Sequence, residues 1–174
     1  MLFRSAGRSV EQVATPTELT RLSRGFRLAG ERLAVVPTMG ALHAGHSALI
    51  ERARRECDRV IVTIFVNRLQ FNDSKDFDLY PVTTDADLEL CSGLGVDVVY
   101  RPDHQDMYPP GFATTVSVRS LGDFHEGASR PGHFNGVTTV VSKLLVAAEC
   151  DVAVFGQKDY QQVSIVRQIG RAHV

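Results

Sequence analysis

Apolar positions along the chain follow two alternating patterns. Arg32–Pro37 (RLAVVP), Val60–Val66 (VIVTIFV), Val96–Tyr100 and Val152–Phe155 are short, almost continuous apolar runs rich in β-branched residues, as expected of strands covered on both faces. Between them, apolar residues recur at helical spacing. Glu11–Gly30 reads as a surface helix opened by Thr15-Pro16, since proline is tolerated in a first turn, with Leu19, Leu22, Phe26 and Leu28 on its partly buried face. Ser47–Arg55 turns Leu49, Ile50 and Ala53 inward, and Asp85–Leu94 ends at Gly95, suited to a left-handed cap. Thr138–Ala148 reads as a buried helix and Tyr160 to about Gln168 as the last one, while the alternation in Ala113–Val118 (ATTVSV) predicts an edge strand or hairpin arm.

Strands that alternate with helices at these lengths imply one α/β domain with a parallel sheet wound on both sides. The 174 residues suffice for one core, and 44% hydrophobic with 22% charged residues is the balance of a soluble globular chain. A formal charge of −1 gives no electrostatic reason to expect nucleic acid or an anionic membrane as partner. No apolar run approaches the roughly 20 residues of a membrane span. A small-molecule partner is the expectation. Cys57, Cys91 and Cys150 lie far apart, without the spacing of a zinc or redox pair, and read as buried thiols in a reducing, cytoplasmic compartment.

In doubly wound sheets ligands bind beyond the carboxyl ends of the strands, which directs attention to Pro37–His46, Asn67–Phe71, Tyr100–Tyr108 and Gly156–Gln162. The first window (PTMGALHAGH) runs from a strand end into a helix start. His43-Ala44-Gly45-His46 there sets two imidazoles beside backbone N–H groups that have no helical partner, and the helix dipole favours an anion. Gly45 would allow a phosphate close to the backbone, and two histidine donors could stabilise charge developing on phosphate oxygens. The alternative is two histidines satisfied by neighbouring backbone; zinc fits less well, with no third or fourth ligand at a suitable spacing. Asn67 and Gln70 offer donors and acceptors to a hydroxy acid, or serve a turn. Lys158 suits a triphosphate and Asp159 a helix cap. The glycine-rich connection Gly127–Phe134 carries Arg130 and His133 and reads equally as functional or structural.

In order and spacing, VPTMGALHAGH, IFVNRLQF, DFDLYP, MYPPGF, GASRPGHFNGV and FGQKDYQQ closely resemble the pantoate–β-alanine ligase (pantothenate synthetase) family over roughly Arg32–Gln168. The resemblance implies the Rossmann-like domain of the H-x-G-H nucleotidyltransferase superfamily. It further implies ATP-dependent ligation of pantoate and β-alanine through a pantoyl-adenylate, with AMP and pyrophosphate released. Met39, Gly40, Ala41, Leu42, His43, Ala44, Gly45 and His46 would bind ATP, completed by Gly156, Gln157, Lys158 and Asp159. His46, His43 and Lys158 would carry the chemistry. Gln70, Gln162 and Asn67 would hold pantoate, and Gln70 would also lie near β-alanine. Mg2+ would arrive with ATP without an assigned protein ligand, and full-length members would be homodimers.

The family usually has proline where Arg68 stands and glutamate where Ala44 and Gln157 stand, and it continues past this endpoint into a further ATP loop and a smaller carboxyl-terminal domain. The expectation is therefore a truncated chain holding half a site, with residues 9–168 native. Leu2–Ser5 and Ile169–Val174 read as translated sequencing adapters, making residues 1–8 an artefactual leader and 169–174 a non-native tail. Competing readings are a related nucleotidyltransferase acting on another acid, and a non-catalytic nucleotide-binding or self-associating module.

Overall fold

The computed structural model describes residues 10–170 and 172–173. The leader expected over residues 1–8 lies outside the described residues. Glu11–Val13 forms strand β1 rather than the start of a helix, and helix α1 spans Pro16–Leu28. The reason is local: the Thr15 side chain accepts from the Glu18 N–H, the Glu18 carboxylate accepts from the Thr15 N–H, and Pro16 disfavours helical backbone in the residue before it.

Leu33–Thr38 is β2, Ala44–Glu56 is α2, and Arg59–Ile64 is β3. A single 3-10 turn, Arg68–Gln70, follows β3 and leads to the short helix α3 at Ser74–Asp78. Then come α4 (Thr84–Gly93), β4 (Val98–Tyr100), α5 (His104–Met107), α6 (Glu126–Ser129), α7 (His133–Ala148), β5 (Val152–Val154), α8 (Tyr160–Arg167) and the two-residue β6 (Ala172–His173). Gly95 takes the left-handed φ of +71° expected of it after α4.

All pairings are parallel, in the order β1-β4-β3-β2-β5-β6. Alternate residues of each strand feed two separate cores. Leu33, Val35, Ile61, Val98 and Ala153 pack with α1, α7 and α8, whereas Ala34, Val36, Val60, Val62, Val99 and Val152 pack with α2 and α4. The near-continuous apolar runs are therefore explained by cover on both faces, each fully buried Val, Leu or Ile contributing roughly 1.5–3 kcal/mol. Cys57, Cys91 and Cys150 are buried, as expected of them, and burial pushes the Cys91 thiol up to about 12. No helix among the described residues is long and apolar enough to cross a membrane.

Ala113–Val118 is not a strand. Instead, the Thr138 hydroxyl donates to the Val116 carbonyl, and the Val116 N–H donates to Thr139 Oγ1 at 3.0 Å, so α7 side chains supply what a neighbouring strand would. α7 also begins five residues before the expected Thr138. Its N-terminal turn meets the 3-10 turn so closely that a Cβ on Gly136 would lie 2.3 Å from the Leu69 carbonyl oxygen.

The strand order reverses between β2 and β5, and such a switch point opens a crevice beyond the carboxyl ends. Gly136→Ala is expected to destabilise the fold by about 1–3 kcal/mol through overpacking. Gly25→Ala in exposed α1, where a Cβ meets nothing within 4 Å, is expected to stabilise it by roughly 0.5–1 kcal/mol. Urea midpoints of the two variants test this.

Candidate active site

At the end of β2 the Thr38 hydroxyl donates to the Thr63 carbonyl at 2.7 Å and accepts from the Gly40 N–H at 3.2 Å. Gly40 (φ +85°) and Ala41 (φ +50°) then turn the chain through left-handed backbone, which costs an alanine about 1–2 kcal/mol. The carboxylate of Asp87, reaching up from α4, offsets that cost. Its Oδ2 accepts from the Ala41 N–H at 3.1 Å, and its Oδ1 accepts from the Leu42 N–H at 2.8 Å and the Thr83 hydroxyl at 3.1 Å.

His43 is the N-cap of α2. Its Nδ1 accepts from the Gly45 N–H at 3.0 Å, while His46 Nδ1 accepts from the His43 N–H at 3.3 Å. This is a capping box built from two imidazoles, with ring centroids 4.2 Å apart. A ring nitrogen that accepts carries no proton, so each neutral ring holds its proton on Nε2. Burial, followed by the neighbouring His43, lowers the His46 pKa against a smaller opposing pull from Asp87. At Gly45 a Cβ would lie 2.8 Å from His43 Cε1, so glycine lets the imidazole fold back onto the backbone.

The backbone donors before and within the first turn of α2, which lack helical partners, largely find side-chain acceptors. The N–H groups of Gly40, Ala41, Leu42, His43 and Gly45 all have acceptors within the protein. Besides these, the turn carries the N–H of Ala44 and the Nε2–H groups of the two rings. Ala44 opens the first turn of α2 and is exposed.

The second window is tied to the first, because Gln70 Nε2 donates to Met39 Sδ at 3.0 Å. Gln70 Oε1 accepts from Asn67 Nδ2 at 3.1 Å. Asn67, only 1% exposed, also donates to the Gly136 carbonyl at 3.0 Å and accepts from the Tyr108 hydroxyl at 2.8 Å. Both protons of its amide are thus committed, and it acts on its surroundings through Gln70. Burial raises the Tyr108 pKa, keeping the phenol a donor.

The Gln70 backbone carbonyl is bracketed by His133 Nδ1 at 2.7 Å and Arg130 at 3.3 Å. A carbonyl only accepts, so His133 holds its proton on Nδ1, the opposite tautomer to His43 and His46. Arg130 also pairs with Glu126 at 2.7 Å. The glycine-rich connection therefore positions Gln70, a role with no local sequence signal beyond its Arg and His. Asp87 likewise escaped the sequence reading, although an acidic residue four before Cys91 on the buried side of α4 is a visible anomaly.

At the switch point, Gly156 packs beside α2, a Cβ there lying 3.9 Å from Leu49. Gln157, Lys158 and Asp159 are exposed, and Asp159 is the N-cap of α8 by position only, without a side-chain cap bond. Gln162 is half-buried in the first turn of α8. Gln161, beside it, is spent on structure, donating to the Leu121 and Phe124 carbonyls and accepting from the Glu126 N–H. On the β3–β4 side of the turn lies a cavity of about 330 Å³ walled by Met39, Gly40, Phe65, Thr83, Asp87 and His104.

A doubly wound parallel sheet with an H-x-G-H turn at its switch point defines the class: a Rossmann-like α/β domain with an imidazole pair at the start of α2. Residues 11–173 match the family model for pantoate-beta-alanine ligase, and the chain belongs to that family. It is 54% identical over 153 residues to the pantothenate synthetase of Dinoroseobacter shibae and 52% identical over 154 residues to that of Ruegeria pomeroyi, in each case over 88% of this chain. The chain spans about half the length of these relatives, 54% of each.

Among solved structures, the pantothenate synthetase of Thermus thermophilus superposes with a TM-score of 0.85 at 44% identity, covering 92% of this chain and 56% of that one. The pantoate-beta-alanine ligase of Francisella tularensis complexed with beta-gamma ATP and beta-alanine gives 0.90 at 36% identity, covering 95% of this chain and 66% of that one.

Burial lowers the His133 pKa more than its bond to Gln70 raises it. The neutral ring is favoured in the fold, so its stabilisation is complete above the unfolded value of about 6.5 and is lost as pH falls through the folded value. His133→Asn keeps a donor for the Gln70 carbonyl but cannot titrate. Its melting temperature is expected to decline less steeply than that of the unsubstituted chain between about pH 7 and about pH 5, the remaining slope coming chiefly from His46.

Proposed function

We propose that this chain is the nucleotide- and pantoate-binding half of an ATP-dependent ligase that joins pantoate to β-alanine. The observation that carries the reading is the reciprocal capping of His43 and His46, which leaves two Nε2–H donors at a switch-point crevice where a phosphate can be received. In this reading a pantoate carboxylate oxygen attacks the α-phosphorus of ATP. The bond from the α-phosphorus to the bridging oxygen breaks, and pyrophosphate leaves with that electron pair. The two imidazoles donate to the phosphate oxygens as charge accumulates, with His46 as the principal donor and His43 beside it. Lys158, on the loop after β5, adds a mobile positive charge, and Met39–His46 with Gly156–Asp159 frame the nucleotide. Mg2+ enters bound to the ATP phosphates.

Gln70, braced by Asn67 and by its bracketed carbonyl, holds the hydroxy acid with Gln162 and stands near the incoming amine. The β-alanine amine then attacks the acyl carbon, AMP leaves with the anhydride electron pair, and the amine loses a proton. The Francisella tularensis relative complexed with beta-gamma ATP and beta-alanine supports both co-substrates. Further parts of the reading are a homodimer and a cytoplasmic setting.

Pantoate-dependent exchange of pyrophosphate into ATP tests the reading, on this chain and on a version extended to the relatives' length. Exchange that requires pantoate supports it; exchange driven by a different acid, or ATP binding with no exchange in either version, would overturn it. His46→Asn sharpens the test, because its short side chain keeps an acceptor for the His43 N–H and removes the distal donor. Its melting temperature should stay near that of the unsubstituted chain while exchange falls on the order of 100- to 1,000-fold.

A further inference from the structure

Asp87 is the charged group that this chemistry leaves without a task. It is 3% exposed, and no ion pair among the described residues includes it. A buried carboxylate without a counter-ion is costly, and this one stands behind a turn assigned to a triphosphate, where a negative charge is unfavourable for the ligand. Its benefit must lie in its geometry. The two oxygens accept from three donors, Ala41 N–H, Leu42 N–H and Thr83 O–H. Asparagine at the same place would turn an N–H toward one of those donors.

The left-handed backbone of Ala41 has little else to hold it, and His43 follows two residues later as the cap of α2. From this arrangement we propose that Asp87 is a positioning residue of the nucleotide site. It pins the Ala41–Leu42 turn, and through that turn it sets where the His43–His46 pair stands against bound ATP. The idea rests on the nucleotide reading above. It adds a residue that touches no substrate yet fixes the donors that do, and small displacements of such donors are expensive in rate and affinity.

The test compares the unsubstituted chain with Asp87→Asn and Thr83→Val by two measurements made well below the melting temperature. One is hydrogen exchange of the Ala41 and Leu42 amides against Val62 and Val99 in the sheet; the other is the ATP dissociation constant by calorimetry. For Asp87→Asn, exchange at Ala41 and Leu42 is expected to accelerate and ATP binding to weaken, each roughly tenfold to a hundredfold, with the sheet amides unmoved. Thr83→Val, which removes one of three donors, is expected to give a smaller change in the same direction.

A merely structural role would lower the melting temperature and leave ATP affinity in the folded protein unchanged, and that result overturns the proposal. If Asp87→Asn fails to fold, the same comparison on Thr83→Val decides, and unchanged affinity with unchanged exchange overturns it. If the unsubstituted chain binds no ATP, the nucleotide reading fails separately. Exchange then judges the turn alone: acceleration confined to Ala41 and Leu42 upholds the pinning, and unchanged rates reject it.

Discussion

Two hydrogen bonds at the N-terminus of α2, from the Gly45 amide to His43 and from the His43 amide to His46, constrain everything the site can do. They engage the Gly45 and His43 amides and fix the proton of each ring on the far nitrogen. They also explain why position 45 is glycine, since a side chain there would strike the His43 ring. Because His43 is at once the end of a turn and the start of a helix, its placement is inherited from both sides. On one side are β2, Thr38 and the Asp87 carboxylate; on the other is α2, held against the sheet by Ile50 and Ala53.

The Gln70 side of the site is built by the same means with the opposite proton. His133 donates through Nδ1 to a carbonyl, so the imidazole is a brace there, whereas at residues 43 and 46 it is a brace on one nitrogen and a donor on the other. Asn67 and Tyr108 complete the scaffold, and Gly136 lets α7 press against the 3-10 turn. Nearly every polar atom around Gln70 thus serves to orient one amide and one carbonyl. Rigid support of this kind is what positioning chemistry requires. The chain spans about half the length of the relatives it matches.

The sequence made the central strands plain, because β-branched runs such as VIVTI have one common explanation, cover on both faces. β1 was hidden: a three-residue strand with only Val13 buried carries no periodic signal and borrows its place from β4. Ala113–Val118 had the alternation of a strand, but the Thr138 and Thr139 hydroxyls satisfy Val116 instead, a tertiary substitution invisible to local patterning. The H-x-G-H window was legible as a strand-to-helix junction that sets two imidazoles at the start of α2. The division of labour within it, amides inward and rings outward in chemical role, depends on Asp87 more than 40 residues away. Lys158 was singled out by its strand-to-helix window and Gln162 only through the family resemblance; in the fold the one is exposed and the other half-buried in the first turn of α8.

The tautomers of the two rings are the most direct measure of this account. Long-range proton–nitrogen correlation of the imidazoles at neutral pH is expected to show Nδ1 of both His43 and His46 without a proton and Nε2 of both protonated, with His133 reversed. A proton on Nδ1 of either His43 or His46 would break the capping pair, remove the outward donor from that ring, and contradict the account.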